Sequence, residues 1–211
     1  MSRALEDAPR PGPRPIAPLP AGVYGGVKRA ADVFGATLGL AVAAPLMLLI
    51  AIAIRLDSPG PALFRQRRIG RGSHEFEIVK FRTMRVGTPD LASHLLGPGS
   101  SRVTRLGFWL RRASLDELPQ LWNVLKGDMT MVGPRPALYN QYDLIALRQQ
   151  AGVDALRPGL TGWAQVNGRD ELAIEEKVRY DRWYLENVNP GLDVSILVRT
   201  LITLFSSRGV Y

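Results

Sequence analysis

Val33-Phe34-Gly35-Ala36-Thr37-Leu38-Gly39-Leu40-Ala41-Val42-Ala43-Ala44-Pro45-Leu46-Met47-Leu48-Leu49-Ile50-Ala51-Ile52-Ala53-Ile54 runs for 22 residues without a charge, bounded by Asp32 and Arg55. Roughly 20 apolar residues cross a bilayer's hydrocarbon core, so this stretch has membrane length. Two features complicate a simple crossing. Pro45 sits in mid-segment, where a missing N–H and a ring clash bend a helix. Basic residues flank both ends: Lys28 and Arg29 before it, Arg55, Arg65, Arg67 and Arg68 after it. Such residues tend to stay cytoplasmic, so a bent helix that enters and leaves on one face satisfies both observations. A spanning helix with a proline kink satisfies the length equally well. A buried core helix fits less well, because the segment has no polar face.

Upstream, Ala8 to Pro20 carries Pro9, Pro11, Pro13, Pro15, Pro18 and Pro20, which prevents a helix and leaves too little apolar surface for a core. Residues 1–27 are therefore expected to be a disordered Pro-rich tail, without the layout of a cleaved signal peptide. The expected organisation continues with a re-entrant membrane helix over 28–56 and a single cytosolic domain over 57–211.

Downstream, Asp57-Ser58-Pro59-Gly60-Pro61 reads as a turn and Glu75 to Phe81 as a strand. Gly87 to Ser101 is loop-rich. Arg105 to Arg112 suits a short interfacial helix. Leu118, Leu121, Trp122 and Leu125 recur at i, i+3, i+4 and i+7, predicting an amphipathic helix that Gly127 ends. Met129 to Val132 suits a short buried strand before Pro134-Arg135-Pro136. Helices are expected over Leu138 to Gln150 and Ile174 to Glu186. The last apolar stretch, Leu192 to Phe205, contains Asp193 and Arg199 and suits a docked or interfacial helix. The fold class is thus α+β, mostly helical, with a small β element.

Lys and Arg total 27 against 19 Asp and Glu, a net charge of +8, so polyanions or an anionic lipid surface are the expected partners. No Cys is present and the two histidines, His74 and His94, are far apart, which argues against zinc chemistry. There is no Walker A loop, no G-x-G-x-x-G fingerprint and no G-x-S-x-G elbow.

The densest chemical signal is Arg111-Arg112-Ala113-Ser114-Leu115-Asp116-Glu117-Leu118-Pro119. Ser114 and Glu117 have capping-box spacing, and acidic residues in a first helical turn suit the dipole, so a purely structural cap explains Glu117. The functional alternative is that the helix start and the two arginines keep both carboxylates ionised, for a divalent cation or for nucleophilic attack. Of the two, Asp116 has the side chain that a cap leaves free. Cations on rigid backbone recur nearby: Lys80 and Arg82, Arg135 between two prolines, Arg157 before Pro158-Gly159, and Arg169 after Gly168. Fixed guanidinium forks suit phosphate oxygens. Trp163 to Arg169 adds an aromatic plate and two amides, suited to a base or sugar or simply to a turn.

From Lys28 to the C-terminus, six ordered blocks resemble the bacterial sugar transferases of the small monotopic phosphoglycosyl transferase type. They are Lys28-Arg29-Ala30-Ala31-Asp32, Lys80-Phe81-Arg82-Thr83-Met84, Ser114 to Leu121, Asn123 to Met129, Val132-Gly133-Pro134-Arg135-Pro136 and Arg157 to Gly162. The resemblance implies transfer of a sugar 1-phosphate from a UDP-sugar to a polyprenyl (undecaprenyl) phosphate at the cytoplasmic face of the bacterial inner membrane, the first membrane step of exopolysaccharide synthesis. It implies Asp116 as nucleophile, a phosphosugar-aspartyl intermediate, UMP as product, and Mg²⁺ held by Glu117 with Asp116. Arg135 is the first candidate phosphate clamp, with Lys80, Arg82, Arg111, Arg112, Arg157 and Arg169 as further phosphate-binding candidates. The family's membrane helix is re-entrant and bends at a Ser-Pro pair; here the pair is Ala44-Pro45, which keeps the proline and loses the hydroxyl.

The rival from another class is a non-catalytic basic membrane adaptor, for anionic lipid or a partner protein, with Asp116 and Glu117 serving only as a cap. A nucleic-acid partner is not expected, since no reading motif accompanies the charge. Homo-oligomerisation and the identity of the sugar, galactose or glucose first, are left open.

Overall fold

The computed structural model describes residues 22–88, 102–168 and 172–205. Helix α1 (Gly22–Asp57) leads into a β-hairpin of β1 (Leu63–Ile69) and β2 (Glu75–Phe81). Helix α2 (Arg105–Arg112) follows, then a 3₁₀ helix (Leu115–Gln120) that runs straight into α3 (Leu121–Lys126). The short strand β3 (Thr130–Val132) pairs in parallel with β4 (Gly159–Thr161), and α4 (Tyr142–Gln150) lies between them in sequence. Helices α5 (Trp163–Val166), α6 (Ile174–Asn187) and α7 (Pro190–Phe205) complete the chain. The protein is mostly helical with two small sheets, as the sequence pattern implied.

Helix α1 contains the apolar run and is long and apolar enough to cross a membrane by length and composition. Pro45 lies inside it, and the helix continues to Asp57. One face is nevertheless docked on the rest of the chain. Ala36 packs with Ile78, Leu121, Val124 and Met129, while Ile50 and Ile54 pack with Phe81 and Leu110. Each buried isoleucine contributes roughly 2 kcal/mol, so this docking is not a glancing contact. Gly39 permits close approach: a Cβ there would lie 3.1 Å from Leu121 Cδ1. The opposite face, including Phe34, Leu38, Val42, Leu49 and Leu56, is exposed.

Polar ties reinforce the seam. Arg29 donates to the carbonyls of Val124 and Leu125 at 2.6 and 2.8 Å, where a cation also suits the C-terminal end of α3. Buried Asp32 accepts from Thr130 Oγ1 at 2.6 Å and Met131 N at 2.9 Å. Lys28 pairs with Asp193 at the start of α7. Lys28 and Arg29, read as the leading membrane flank, are therefore committed to the domain.

Several sequence expectations hold to the residue: β2, α2, and Gly127 as a left-handed terminator with φ 94°. Others are corrected. Residues 22–27, assigned to the tail, are helical from Gly22 onward; the rest of the tail lies outside the described residues, as do residues 89–101 of the expected loop. The single amphipathic helix over Leu118 to Leu125 is a 3₁₀ helix followed by a short α-helix, because Pro119 interrupts it. Trp122, placed on its apolar face, is 55% exposed. The helix expected from Leu138 starts at Tyr142, since Leu138 is spent on a bridge to Arg68. Strand β1 was not anticipated, because its middle, Arg65 to Arg68, is polar on both faces; cross-strand pairs Arg65–Glu77 and Arg67–Glu75 accompany it, each at 3.5 Å.

Candidate active site

The hairpin and α3 are joined by Asn123. Its Oδ1 accepts from Val79 N at 3.0 Å and its Nδ2 donates to Glu77 O at 2.7 Å, so a buried side-chain amide serves β2 much as a third strand would. This locks α3, and with it the preceding 3₁₀ helix, against the edge that carries Lys80. Helix α2 closes on the same edge because Gly107 has no side chain: a Cβ there would sit 2.1 Å from Thr83 O. Its last turn then brings Arg111 Nε to Thr83 Oγ1 at 2.8 Å.

The result is a compact charge cluster. Lys80 Nζ donates to Glu117 Oε1 at 2.7 Å, and Arg135 Nη2 reaches the same oxygen at 3.3 Å. The side chains of Lys80 and Glu117 are 15% and 20% exposed, whereas Arg135 is 42% exposed and offers a face to solvent. Asp116 is buried beside them and makes no ion pair within 4 Å among the described residues.

Electrostatics separates the two carboxylates. Burial pushes the Asp116 carboxyl above its usual value and adjacent Glu117 adds to that, while Lys80 and Arg111 oppose it. Burial would raise Glu117 as well, but Lys80 and Arg135 overcome it with charge and hydrogen bonds and hold the group down to about 2. Lys80 is itself lowered by burial, with Arg135 contributing and both carboxylates opposing. Burial likewise lowers Arg111 against the pull of Asp116. Glu117 is thus a committed anion, and Asp116 a carboxylate whose charge is only partly compensated.

The expected capping box does not form. Ser114 is in the left-handed region, with φ 54°, and its side chain makes no cap hydrogen bond. Glu117 turns to Lys80 and Arg135 instead of to the helix start.

Of the residues nominated from sequence, the fold gathers Asp116, Glu117, Lys80, Arg111 and Arg135. Arg82 is elsewhere. Buried at 5% exposure, it donates to the carbonyls of Pro59 and Ser58 and holds the turn after α1, where Gly60 (φ 118°) leaves room for it. Arg112 is exposed, its guanidinium 5.8 Å from the Trp109 ring centre. Arg157 lies near Arg71, whose own value it helps to lower after burial. Arg169 lies outside the described residues. Arg148 and Asp181 were not singled out, and Arg68 and Asn123 were named only as a membrane flank and within a family block; a charged or amide side chain within an ordinary helix or strand pattern carries no signal of what it will meet.

Among the described residues no group of three or more His, Cys, Asp and Glu could hold a metal. Asp116 and Glu117 are the adjacent acidic pair at the site. That number suits Mg²⁺, which usually takes one or two carboxylates together with substrate phosphates and water.

A rigid Gly-rich junction aims Arg135. Gly133, Gly159 and Gly162 meet backbone to backbone, and a Cβ on Gly162 would lie 2.0 Å from Gly133 O. No larger residue fits that approach.

The fold thus sets an acidic pair on a 3₁₀ helix, flanked by a buried lysine and a Pro-framed arginine, beside a long apolar helix. Residues 23–207 match the family described as bacterial sugar transferase, and the chain belongs to that family. It is 44% identical over 207 residues to a UDP-glucose:undecaprenyl-phosphate glucose-1-phosphate transferase of Caulobacter vibrioides, covering 94% of this chain and 77% of that one. It is 38% identical to a UDP-N-acetylgalactosamine-undecaprenyl-phosphate N-acetylgalactosaminephosphotransferase of Aeromonas hydrophila, over 90% of this chain and 46% of that protein. An uncharacterized sugar transferase of Bacillus subtilis is 39% identical, over 87% of this chain and 90% of its own. The chain therefore spans under half of the Aeromonas relative and most of the other two.

Proposed function

We propose that this chain transfers a sugar 1-phosphate from a UDP-sugar to undecaprenyl phosphate, with Asp116 as the nucleophile. The observation that carries the reading is the contrast within the acidic pair: Glu117 is neutralised by Lys80 and Arg135, while buried Asp116 has no ion-pair partner within 4 Å among the described residues. The activities of the Caulobacter and Aeromonas relatives, sugar-phosphate transfer to undecaprenyl phosphate, support the transfer itself.

In the first step an Asp116 carboxylate oxygen attacks the sugar-proximal phosphorus. The phosphoanhydride bond to UMP breaks and UMP leaves with its electron pair, so the sugar phosphate remains as an acyl phosphate on Asp116. In the second step a phosphate oxygen of undecaprenyl phosphate attacks that phosphorus, and the bond to Asp116 breaks to regenerate the carboxylate. Dividing the transfer in two replaces one difficult displacement with two easier ones. Arg135 and Arg111 bring fixed positive charge to the phosphoryl oxygens, and Lys80 keeps Glu117 oriented and ionised. Asp116 and Glu117 would hold Mg²⁺, which when bound supplies further charge to the phosphoryl oxygens.

The docking of α1 supports a re-entrant or in-plane helix. Asp32 and Ile54 both contact the same domain, and roughly 33 Å of straight helix would separate them at 1.5 Å per residue. A straight crossing would carry those two ends to opposite faces of a bilayer about 30 Å thick, which one domain cannot follow. The domain then lies on the side where nucleotide sugars are made, the cytoplasmic face of the inner membrane. The adaptor reading takes the acidic pair as a cap, yet Ser114 makes no side-chain cap hydrogen bond; Asp116→Asn separates the two, since an adaptor tolerates it.

The test is mass spectrometry of the full chain quenched with UDP-glucose alone. The expected result is a peptide containing Asp116 heavier by a hexose phosphate, with release of UMP and not UDP. An unmodified peptide across a panel of UDP-glucose, UDP-galactose and UDP-N-acetylgalactosamine sinks the mechanism.

A further inference from the structure

We propose that Arg148, gripped by Asp181, is a positioning residue for the guanidinium of Arg135; this rests on the reading of Arg135 as a phosphate contact. Pro134 and Pro136 have no N–H, so the strut that carries Arg135 cannot be held through a ladder of its own donors. It is held by its carbonyls. Pro134 O accepts from Gly159 N at 2.8 Å, Arg135 O from Arg148 Nη1 at 2.8 Å, Pro136 O from Arg68 Nη1 at 3.0 Å, and Ala137 O from Ile69 N at 2.9 Å. The outer two grips come from backbone and the inner two from arginine side chains.

Arg148 grips the carbonyl of the very residue whose side chain reaches Glu117. It is rigid enough to do so. Its Nε and Nη2 both bond Asp181 Oδ2, at 3.0 and 2.6 Å, and the two side chains are 12% and 2% exposed. With two corners of the guanidinium plane fixed by the carboxylate, the remaining nitrogen can point only at the strut. A lysine can make one of these contacts but not all three. Misplacing a phosphate-binding group by about 1 Å is enough to weaken its function up to a hundredfold. The same pair also ties α4 to α6, and a structural tie alone is the account to be excluded.

A double-mutant cycle on the full chain in detergent separates them. UDP affinity is measured by calorimetry in Mg²⁺ buffer for the unchanged chain, Arg148→Lys, Arg135→Lys and the double variant, with UMP release from UDP-glucose recorded alongside. Arg148→Lys is expected to weaken UDP binding about tenfold when Arg135 is present and less than twofold when it is already lysine. Equal losses in both backgrounds overturn the proposal. So does an Arg135→Lys variant that binds UDP as tightly as the unchanged chain. Coupled UDP affinities with no UMP release leave the positioning role standing and defeat the transferase chemistry instead. Should Arg148→Lys fail to fold, the isosteric Asp181→Asn completes the same cycle with the same expected coupling.

Discussion

Two of the regions where this protein buries charge differ in whether each charge has a fixed partner. Along the seam between α1 and the domain, Lys28 meets Asp193, Arg29 meets two carbonyls, and Asp32 accepts two hydrogen bonds. At the acidic pair, Glu117 is matched by Lys80 and Arg135, but Asp116 beside it is not matched by any contact ion pair among the described residues. Matched charges act as specific glue, since pulling one away strands its partner. A buried carboxylate left short of a partner stabilises nothing by that position, which is why such groups mark chemistry more often than architecture.

Asp116→Asn should give the largest effect. UMP release should fall by about a thousandfold or more, as expected for loss of a covalent nucleophile. The melting temperature at neutral pH should hold or rise. Burial lifts the Asp116 carboxyl above its usual value, so its ionised form costs stability above that raised value, and the cost fades as pH falls from there toward the usual 3.8, below which it is gone. A large drop in melting temperature would move Asp116 into the class of the seam.

Glu117→Gln should lower activity by about a hundredfold and destabilise the fold by roughly 3 kcal/mol, because Lys80 is left buried with an uncompensated charge. The pH dependence has the opposite sign to that of Asp116. With a folded value of about 2 against a usual 4.5, Glu117 contributes stability that is full above pH 4.5 and is lost as pH falls toward 2. Thermal melts between pH 2 and 6 should show that slope in the unchanged chain and a shallower one in the variant.

Asp32→Ala tests the seam. It removes the acceptor for Thr130 Oγ1 and Met131 N and should cost about 2 kcal/mol, read as a lower melting temperature. Turnover per folded molecule should stay within a few-fold. A collapse of kcat without loss of stability would make the seam part of the catalytic apparatus. The smallest effect is expected from Arg112→Ala: stability within about 0.5 kcal/mol and UMP release within about twofold, since that guanidinium is exposed. A greater loss of UMP release would return Arg112 to the phosphate-binding set.

Legibility in the sequence followed how local each signal was. Strand β2 and helix α2 were readable because residue alternation and flanking turns act within a few residues. The 3₁₀ helix was not, because its shape depends on Pro119 and a left-handed Ser114 inside an otherwise helical pattern. Strand β1 has a polar centre, Arg65 to Arg68, that shows no apolar alternation, and it takes its form by pairing with β2. The family motifs pointed to Asp116, Glu117 and Arg135, yet spacing alone could not tell a capping glutamate from one claimed by Lys80, a residue 37 positions earlier.

Chain composition alone dictated a 22-residue apolar run, a basic surface and an acidic pair next to arginines, because those are properties of consecutive residues. Only the folded arrangement decided which cations the pair meets, that Arg82 serves a turn and not a phosphate, and that Lys28, Arg29 and Asp32 fasten α1 to the domain. A buried charge is governed by neighbours brought from distant parts of the chain, and at those distances pairing follows tertiary geometry and not sequence spacing.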